Sequence, residues 1–234
     1  MPTRTDTELS IRPLTSADIG RIAEIHCAAF PHAALTKLGR EAITRYYLWQ
    51  LEGPHDESWA FGVWSRGILE GFCFGGIHPD AISGFLNKNK TYLAWHVATH
   101  PWLVANPFFR DKITNGLRIL TQSFKTARNA TPAMPLEPFK RPFDILSIAV
   151  NPTTQGRGLG HAMMQEAEEI ARQNGFHVMS LFVTPDNDHA IRFYEAGGWE
   201  RRNARTGIWR GVMEKWLVPK EAFRAQMQAA ASGA

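Results

Sequence analysis

The feature that most constrains the fold of this chain is a cluster of glycines where a strand passes into a helix. Residues 150–164, VNPTTQGRGLGHAMM, run from a β-rich segment through a proline turn into Gly156, Gly158 and Gly160. Glycine loses more conformational freedom on folding than any other residue, so three glycines in five positions are costly to order. This cost indicates that the protein needs a bare backbone at this junction.

The segments on either side of the glycines predict a buried strand and an amphipathic helix. FDILSIAV, residues 143–150, is a continuous apolar run of the kind found inside a sheet. After the glycines, apolar residues recur every three to four positions and predict a helix from Leu159 to Gln173. Asn174 and Gly175 then supply residues able to adopt a left-handed conformation, which commonly ends a helix.

The rest of the chain predicts an α/β (α+β) domain with a mixed central sheet flanked by helices. Residues 9–30 predict a strand, a turn and a helix, and residues 36–53 predict a second helix. Residues 58–79 predict a hairpin around a Ser-Arg-Gly turn. Strands at 177–183 and near the end of the chain surround a short helix at 187–198.

One segment, residues 81–140, does not fit this alternation of strands and helices. Residues 81–140 combine helical spacing, many aromatic residues and proline breaks, and we interpret them as a helical insertion. We therefore expect a single domain over residues 1–219, followed by an alanine-rich tail over residues 220–234.

Composition excludes several classes of protein. The chain has 234 residues, 44% of them apolar and 21% charged, as is usual for a soluble globular protein. Its net charge of +4 is spread along the chain, which argues against nucleic-acid binding but favours an anionic ligand. The N-terminus resembles no signal peptide and no apolar run reaches 18 residues, so we expect a cytoplasmic protein without a membrane span.

Cysteine and histidine usage gives no indication of a disulfide or a metal site. Cys27 and Cys73 are expected to be free thiols that act as small apolar side chains. His78, His96 and His100 could line a pocket, but histidines at such positions are more often structural. Their spacing fits no dependable zinc motif, so we expect no metal.

The glycine junction predicts a binding site for an anion. The first N–H groups of a helix have no intrahelical partner and carry partial positive charge, which favours a phosphate or pyrophosphate. Glycines remove the β-carbons that would hold such a group away from the backbone, and Arg157 could add charge. A P-loop is excluded because no lysine follows the glycines, and a strict dinucleotide fingerprint is excluded because His161 occupies its third glycine position.

The pattern that fits is Gln/Arg-x-x-Gly-x-Gly/Ala, present as QGRGLG at residues 155–160. With it, residues 187–199, NDHAIRFYEAGGW, match Asn-x-x-Ala-x-x-Phe/Leu-Tyr-x-x-x-Gly-Phe, with Trp199 in place of phenylalanine. In these two motifs, in this order and separation, the chain resembles the GNAT superfamily of acyl-CoA-dependent N-acyltransferases. The resemblance is firm over residues 145–217 and looser over 9–79, whereas residues 81–140 match nothing in the common core.

The resemblance implies acetyl-CoA as co-substrate and assigns its contacts. The strand before the glycines would hold the pantetheine arm, and the loop amides would bind the pyrophosphate. The helix of the second motif would lie across the cofactor, with Asn187 on the pantetheine and Tyr194 facing the thioester sulfur. The implied cofactor-binding residues are Ile148, Ala149, Val150, Gln155, Gly156, Arg157, Gly158, Leu159, Gly160, Asn187, Ala190 and Tyr194.

Two residues are candidates for the chemistry. By resemblance Tyr194 is the general acid that protonates the leaving thiolate; the alternative is that it only packs against the cofactor. Asp144 opens the strand where some family members carry a basic glutamate, and being one carbon shorter it would act through a water. The alternative for Asp144 is a solvated carboxylate at a strand end.

The resemblance thus predicts an N-acetyltransferase that transfers an acetyl group to a primary amine of a small molecule, with amino sugars among the candidates. A protein N-terminus or lysine is the second acceptor class, and a non-catalytic acyl-CoA sensor is a further alternative. Strand edges and the aromatic insertion make a homodimer an additional expectation.

Overall fold

The protein is built around a mixed seven-stranded sheet. We analysed a computed structural model, which describes residues 9–55, 57–78, 81–100, 141–202, 207 and 209–223. Within these residues, every neighbouring pair of strands is antiparallel except β4 and β5, which are parallel. In sheet order the strands are β1 (Leu9–Pro13), β2 (Ser58–Ser65), β3 (Ile68–Gly76), β4 (Phe143–Val150), β5 (Val178–Phe182), β7 (Val212–Trp216) and β6 (Glu200–Arg201).

Helices cover both faces of the sheet, which confirms the predicted α/β class. The helices of the described residues are α1 (Ile19–Ala29), α2 (Ala34–Lys37), α3 (Arg40–Glu52), α4 (Ser83–Lys88), α5 (Lys90–Thr99), α6 (Leu159–Gln173) and α7 (Asp188–Ala196). Single 3-10 turns precede α1 at Ser16–Asp18 and follow β4 at Pro152–Thr154. None of these helices combines the length and apolarity needed to cross a bilayer.

Each face of the sheet has its own apolar core. The α6 core lies between the sheet and helices α6 and α7, and it includes Phe143, Met163, Met179, Ile191 and Met213. The α1 core lies on the opposite face beneath α1 and α3, and it includes Ile22, Ile43, Tyr47, Phe72 and Phe74. Alternate residues of the central strands enter the two cores, because successive side chains of a strand point to opposite faces.

Most predicted elements are present at the predicted positions. The hairpin of β2 and β3 turns at Arg66 and Gly67, whose φ angles of 52° and 76° fit the primed turns that match strand twist. Helix α6 has the predicted bounds, and Gly175 after it has a φ of 74°. Cys73 is a buried free thiol as expected, whereas the free thiol of Cys27 is half-buried.

The helix predicted over residues 36–53 is wrong as a single element. It divides into α2 and α3 at Gly39, whose φ of 90° lies outside the helical region. Because glycine adopts this conformation without steric cost, the chain can turn there between two helices. The apolar stripe of α3 still faces the sheet, with Ala42, Ile43 and Tyr47 buried.

The predicted insertion is helical in the part that the structure describes. Residues 81–100 form α4 and α5, and the expected segment at 101–140 lies outside the described residues. Trp95 on α5 is 70% exposed, and the aromatic residues Trp102, Phe108 and Phe109 fall outside the described part. Of the predicted tail, residues 220–223 are described, and Phe223 packs on Trp216 with ring centroids 5.3 Å apart.

The parallel pair at the centre of the sheet is short. Strand β4 pairs with β5 only through Phe143, Asp144 and Ile145, opposite Met179, Ser180 and Leu181. On its other edge β4 stays paired with β3 as far as Val150. The register shifts once, because Ile145 is opposite Gly75 and Ser147 is opposite Phe74, so Leu146 is skipped. Beyond Ile145 the strands β4 and β5 therefore separate and open a seam in the sheet.

Candidate active site

A cavity of about 920 Å³ occupies the open seam between β4 and β5. Its walls come from β4 residues 145–150, the glycine loop, the start of α6, the end of β5 and one face of α7. Two of the predicted site residues, Arg157 and Asp144, are not among the residues that line it. The predicted residues that do line it are Ile148, Ala149, Val150, Gln155, Gly156, Gly158, Leu159, Gly160, Asn187, Ala190 and Tyr194.

The glycine loop lines this cavity where helix α6 begins. Gly156 and Gly158 have φ angles of 79° and 81°, which L-residues rarely adopt, and no atom lies within 4 Å of where a β-carbon would stand. The first hydrogen bond of α6 runs from the Ala162 N–H to the Gly158 carbonyl. The amides that precede this bond are therefore at the position where helix N–H groups lack intrahelical partners and attract anions.

A buried polar cluster, which the sequence did not reveal, holds the start of this loop. The Glu70 carboxylate on β3 accepts hydrogen bonds from the Asn151 amide at 2.8 Å and the Thr154 hydroxyl at 3.4 Å, and it lies 3.5 Å from the Arg21 guanidinium. The Asn151 N–H also donates to the Glu70 carbonyl at 2.7 Å. Glu70 thus ties the segment between β4 and the glycines to the neighbouring strand.

Replacing Glu70 by alanine is expected to destabilise the protein by about 1–3 kcal/mol, because it leaves buried donors of Asn151 and Thr154 without their acceptor. The glycine loop should also bind coenzyme A less tightly. Urea unfolding and calorimetry with coenzyme A measure the two effects. Glu24→Ala is the matched control: Glu24 pairs with the same Arg21 at 3.1 Å but is exposed, so its loss should cost less than about 1 kcal/mol. Equal losses in the two variants would contradict this role of Glu70.

The charges around the cavity suit an anionic ligand. Among the described lining residues there is no aspartate or glutamate, whereas His161 on α6 and His189 and Arg192 on α7 all reach the cavity. Arg157, which we expected to add charge, is exposed and lies outside the lining. The positive charge among the described lining residues therefore comes from Arg192, which the sequence motifs did not single out.

Tyr194 lies where α7 crosses the cavity. Helix α7 begins after Asn187, whose side-chain oxygen caps it by accepting a hydrogen bond from the Ala190 N–H at 3.1 Å. The ring of Tyr194 packs against Phe193 and Trp199, with centroids 5.3 and 6.0 Å away. Burial raises the pKa of the Tyr194 hydroxyl to about 12, and nearby Cys73 adds to the shift. The phenol is therefore protonated at neutral pH and able to donate its proton.

Asp144 lies at the closed end of the seam, where β4 and β5 still pair. It accepts a hydrogen bond from the Ser180 hydroxyl on β5. Although the residue as a whole is exposed, surrounding atoms partly desolvate its carboxyl group and raise its pKa to about 6, while Arg202 acts in the opposite direction. Asp144 thus directly precedes Ile145, which lines the cavity, but does not line the cavity itself.

A second polar arrangement, also unpredicted, joins the cavity to the α1 core. Ser147 of β4 is among the residues that line the cavity, and its hydroxyl lies 2.9 Å from the Tyr47 hydroxyl of α3. The Tyr47 hydroxyl in turn lies 2.8 Å from Nδ1 of His26 on α1. The apolar period of α3 predicts that Tyr47 faces inward, but no sequence pattern indicates its partners.

The three histidines of the insertion region do not line the cavity. His78 is half-buried beside His55, with ring centroids 5.5 Å apart, and burial lowers its pKa to about 4. His96 and His100 stack on each other on α5 and just after it, with centroids 4.2 Å apart. Within the described ranges, no three histidine, cysteine, aspartate or glutamate side chains come together as metal ligands would.

Comparison with known proteins connects this site to a family. Residues 135–199, which include β4, the glycine loop, α6, β5 and α7, match the model of the acetyltransferase (GNAT) family. An uncharacterized N-acetyltransferase of Methanocaldococcus jannaschii is 36% identical over 69 residues, which make up 30% of this chain and 30% of that protein. The N-alpha-acetyltransferase RimI of Mycobacterium tuberculosis is 34% identical over 68 residues, or 29% of this chain and 41% of that protein. The chain thus matches less than half the length of either relative.

The fold is shared over a much longer stretch than the sequence. The crystal structure of PaiA N-acetyltransferase from Thermoplasma acidophilum, in complex with coenzyme A, superposes with a TM-score of 0.53 at 13% sequence identity. The superposition covers 89% of this chain and 99% of that one. Residues 135–199 of this chain are thus similar to the acetyltransferase (GNAT) family, and the fold around them is shared with a solved N-acetyltransferase.

Proposed function

We propose that this protein is an acetyl-CoA-dependent N-acetyltransferase that acetylates a primary amine of a small molecule. The observation that carries the proposal is that one cavity brings together the amides of the glycine loop, the open edge of β4 and the phenol of Tyr194. These three features match the three parts of acetyl-CoA, namely its pyrophosphate, its pantetheine arm and its thioester.

The cofactor would bind along the seam. The pyrophosphate would accept hydrogen bonds from the loop amides near Gly156 and Gly158, with Arg192 close by. The pantetheine amides would then pair with the edge of β4 at Ile148–Val150, which has no strand neighbour on the β5 side. An extended chain added to a free strand edge gains backbone hydrogen bonds in the same way as another strand does.

The chemistry requires a neutral amine, a donor for the oxyanion and a proton for the leaving thiolate. The amide of Ile148 or a neighbour on β4 would stabilise the oxyanion, because such a donor is preorganised in a site shielded from water. Tyr194 would protonate the thiolate, since its raised pKa keeps the proton on the phenol until a base forms beside it.

An alkylammonium acceptor must lose two protons. One leaves before attack, because a protonated amine has no lone pair, and the other leaves once nitrogen has bonded to the carbonyl carbon. We assign the first to Asp144, acting through water. With a pKa of about 6 its carboxyl group is ionised at neutral pH and yet basic enough to take part.

Asp144→Asn should remove the acid limb of the pH–rate profile. In the wild type, kcat/KM should rise as pH increases through about 6, because the carboxyl group loses its proton there and becomes a base. Asparagine cannot titrate, so the variant should be slow and should show no such rise. The control is Glu214→Gln, which alters the carboxylate paired with Arg202 at 2.8 Å without touching Asp144. An unchanged profile in Asp144→Asn would discard the assignment.

Two measurements on the full chain test the proposed function. Calorimetry with coenzyme A should show binding. Release of free thiol from acetyl-CoA should then be tested with amino sugars, alkylamines and peptides, and one of these amine classes should accelerate it above the rate without amine. The absence of heat at millimolar coenzyme A would refute the cofactor site. Binding without turnover across the panel would favour an acyl-CoA sensor.

A protein α-amine is the second candidate acceptor. It is favoured by the 34% identity over 68 residues to RimI, which is named as an N-alpha-acetyltransferase. Faster acetylation of peptides than of small amines would establish this alternative. The expected homodimer stays a prediction that sedimentation can test in the same samples.

A further inference from the structure

The hydrogen-bonded series from Ser147 to His26 connects the cavity with a buried base. It crosses three elements, since Ser147 lies on β4, Tyr47 on α3 and His26 on α1. The Ser147 Oγ to Tyr47 Oη distance is 2.9 Å, and the Tyr47 Oη to His26 Nδ1 distance is 2.8 Å. Only its first member, Ser147, lines the cavity.

The two inner members are held rigidly. Tyr47 is 1% exposed and His26 is 6% exposed. The Tyr47 ring contacts Phe72 and Phe74 with centroids 5.1 and 5.0 Å away, and the His26 ring contacts Phe30 at 5.0 Å. These aromatic contacts fix the orientations of the Tyr47 and His26 side chains. The hydroxyl and the imidazole are therefore aligned before a reaction begins and need no reorganisation during it.

His26 is neutral at rest, and its low pKa means that it can hold an added proton only transiently. Burial lowers its pKa to about 4, so the ring is neutral at physiological pH. A neutral imidazole has one bare nitrogen, and if the hydrogen is on Nε2, that nitrogen is the Nδ1 that faces Tyr47. The hydroxyls of Tyr47 and Ser147 can then both donate towards His26, which leaves a lone pair of Ser147 directed away from Tyr47.

Ser147 and Tyr194 reach the cavity from opposite faces of the sheet. Tyr194 packs with the α6 core, whereas Ser147 is bonded to Tyr47 in the α1 core. Ala29 and Phe30, at the end of α1, line the cavity on the side of Ser147. In the proposed function, on which this inference rests, the thiol lies beside Tyr194, and an amine entering from the opposite face meets Ser147.

We infer that Ser147, Tyr47 and His26 form a proton relay that receives the second proton of the acceptor nitrogen. As the C–N bond forms, the nitrogen gives a proton to Ser147 Oγ, Ser147 gives its own to Tyr47 Oη, and Tyr47 gives its own to His26 Nδ1. The C–S bond breaks with its electron pair on sulfur, and the thiolate takes the proton of Tyr194. After the products leave, His26 releases its proton to solvent through the hydroxyls, Asp144 releases its proton to solvent, and Tyr194 takes up a proton from solvent.

The relay and Asp144 have separable roles. Asp144 removes the proton that must leave before attack, so its loss changes how the rate depends on pH. The relay acts after attack, so its loss lowers the rate at every pH and leaves the rise near pH 6 in place. Ser147 is the catalytic residue of the relay, and Tyr47 and His26 act through it.

The test compares Ser147→Ala, Tyr47→Phe and His26→Gln with the wild type, using the best amine of the panel. Each variant should lower kcat by about ten- to a hundredfold, the range of a modest general-base contribution. Acetyl-CoA affinity, the KM for the amine and the apparent pKa near 6 should stay as in the wild type. Ser147→Thr keeps the hydroxyl and should retain most of the activity.

Tyr46→Phe is the matched control. Tyr46 is next to Tyr47 and packs on it with ring centroids 5.2 Å apart, but it does not line the cavity. Its loss of a hydroxyl should leave kcat unchanged. If Tyr47→Phe fails to fold, Ser147→Ala alone decides, since the change is confined to the cavity wall.

The outcomes distinguish this inference from the function on which it rests. A wild type that releases no thiol with any amine overturns the proposed function, and the relay with it. An active wild type whose Ser147→Ala variant keeps its kcat overturns the relay alone. Loss of acetyl-CoA affinity in Ser147→Ala, or equal loss of activity in Ser147→Thr, would also overturn it, because the hydroxyls would then serve only to hold the structure.

Discussion

Tyr194→Phe should lower kcat by about a hundredfold or more, the usual contribution of a positioned general acid. Coenzyme A should bind the variant nearly as tightly as the wild type, because phenylalanine keeps the ring that packs between Phe193 and Trp199. The loss should fall on kcat because in the proposed function the phenol acts on the leaving thiolate, which exists only as the C–S bond breaks. Steady-state kinetics and calorimetry with coenzyme A measure the two quantities.

Tyr92→Phe is the control for this prediction. Tyr92 is another partly buried tyrosine, on α5, and it does not line the cavity. It should keep the activity of the wild type. If Tyr194→Phe also kept its kcat, Tyr194 would be a packing residue and the thiolate would take its proton from water.

Gly158→Val should weaken coenzyme A binding by about a hundredfold, which corresponds to about 2.8 kcal/mol. The φ of 81° at Gly158 is strained for any L-residue and most of all for a β-branched one. A side chain there also extends into the open space beside the loop, where the pyrophosphate would approach in the proposed function. Titration calorimetry with coenzyme A gives the affinity, and urea unfolding gives the accompanying loss of stability.

Gly175→Val separates the two causes. Gly175 has a φ of 74° and equally open surroundings, but it lies after the other end of α6. It should lose a similar amount of stability, about 1–2 kcal/mol, and no affinity for coenzyme A. If the wild type, Gly158→Val and Gly175→Val all bound coenzyme A with the same affinity, the glycine loop would not bind the pyrophosphate.

The parts of the site that the sequence predicted are those that depend on local structure. The glycine turn after β4 and the start of α6 each involve residues within a few positions of one another. The recurrence of apolar residues every three to four positions predicted the bounds of α6 for the same reason. It did not detect the break at Gly39, because apolar residues continue at helical spacing on both sides of that glycine.

The parts that the sequence did not predict depend on contacts between distant elements. His26, Tyr47 and Ser147 meet only because α1 and α3 pack on the face of β4 that carries Ser147. Glu70 meets Asn151 across two neighbouring strands, 81 positions apart in the chain. The place of Asp144, behind the cavity instead of in its wall, depends on where β4 and β5 part, and no pattern within one strand records that point.

The short pairing of β4 with β5 has a consequence for kinetic order. Three residues of each strand connect the two portions of the sheet, and past them the cavity runs between β4 and β5. In the proposed complex the pantetheine chain would fill that opening, so the surface against which an amine rests would be the thioester itself. Without acetyl-CoA, the protein would therefore lack one wall of the amine-binding site. Acetyl-CoA should bind first and coenzyme A should leave last, so that the co-substrate serves as a temporary strand of the enzyme.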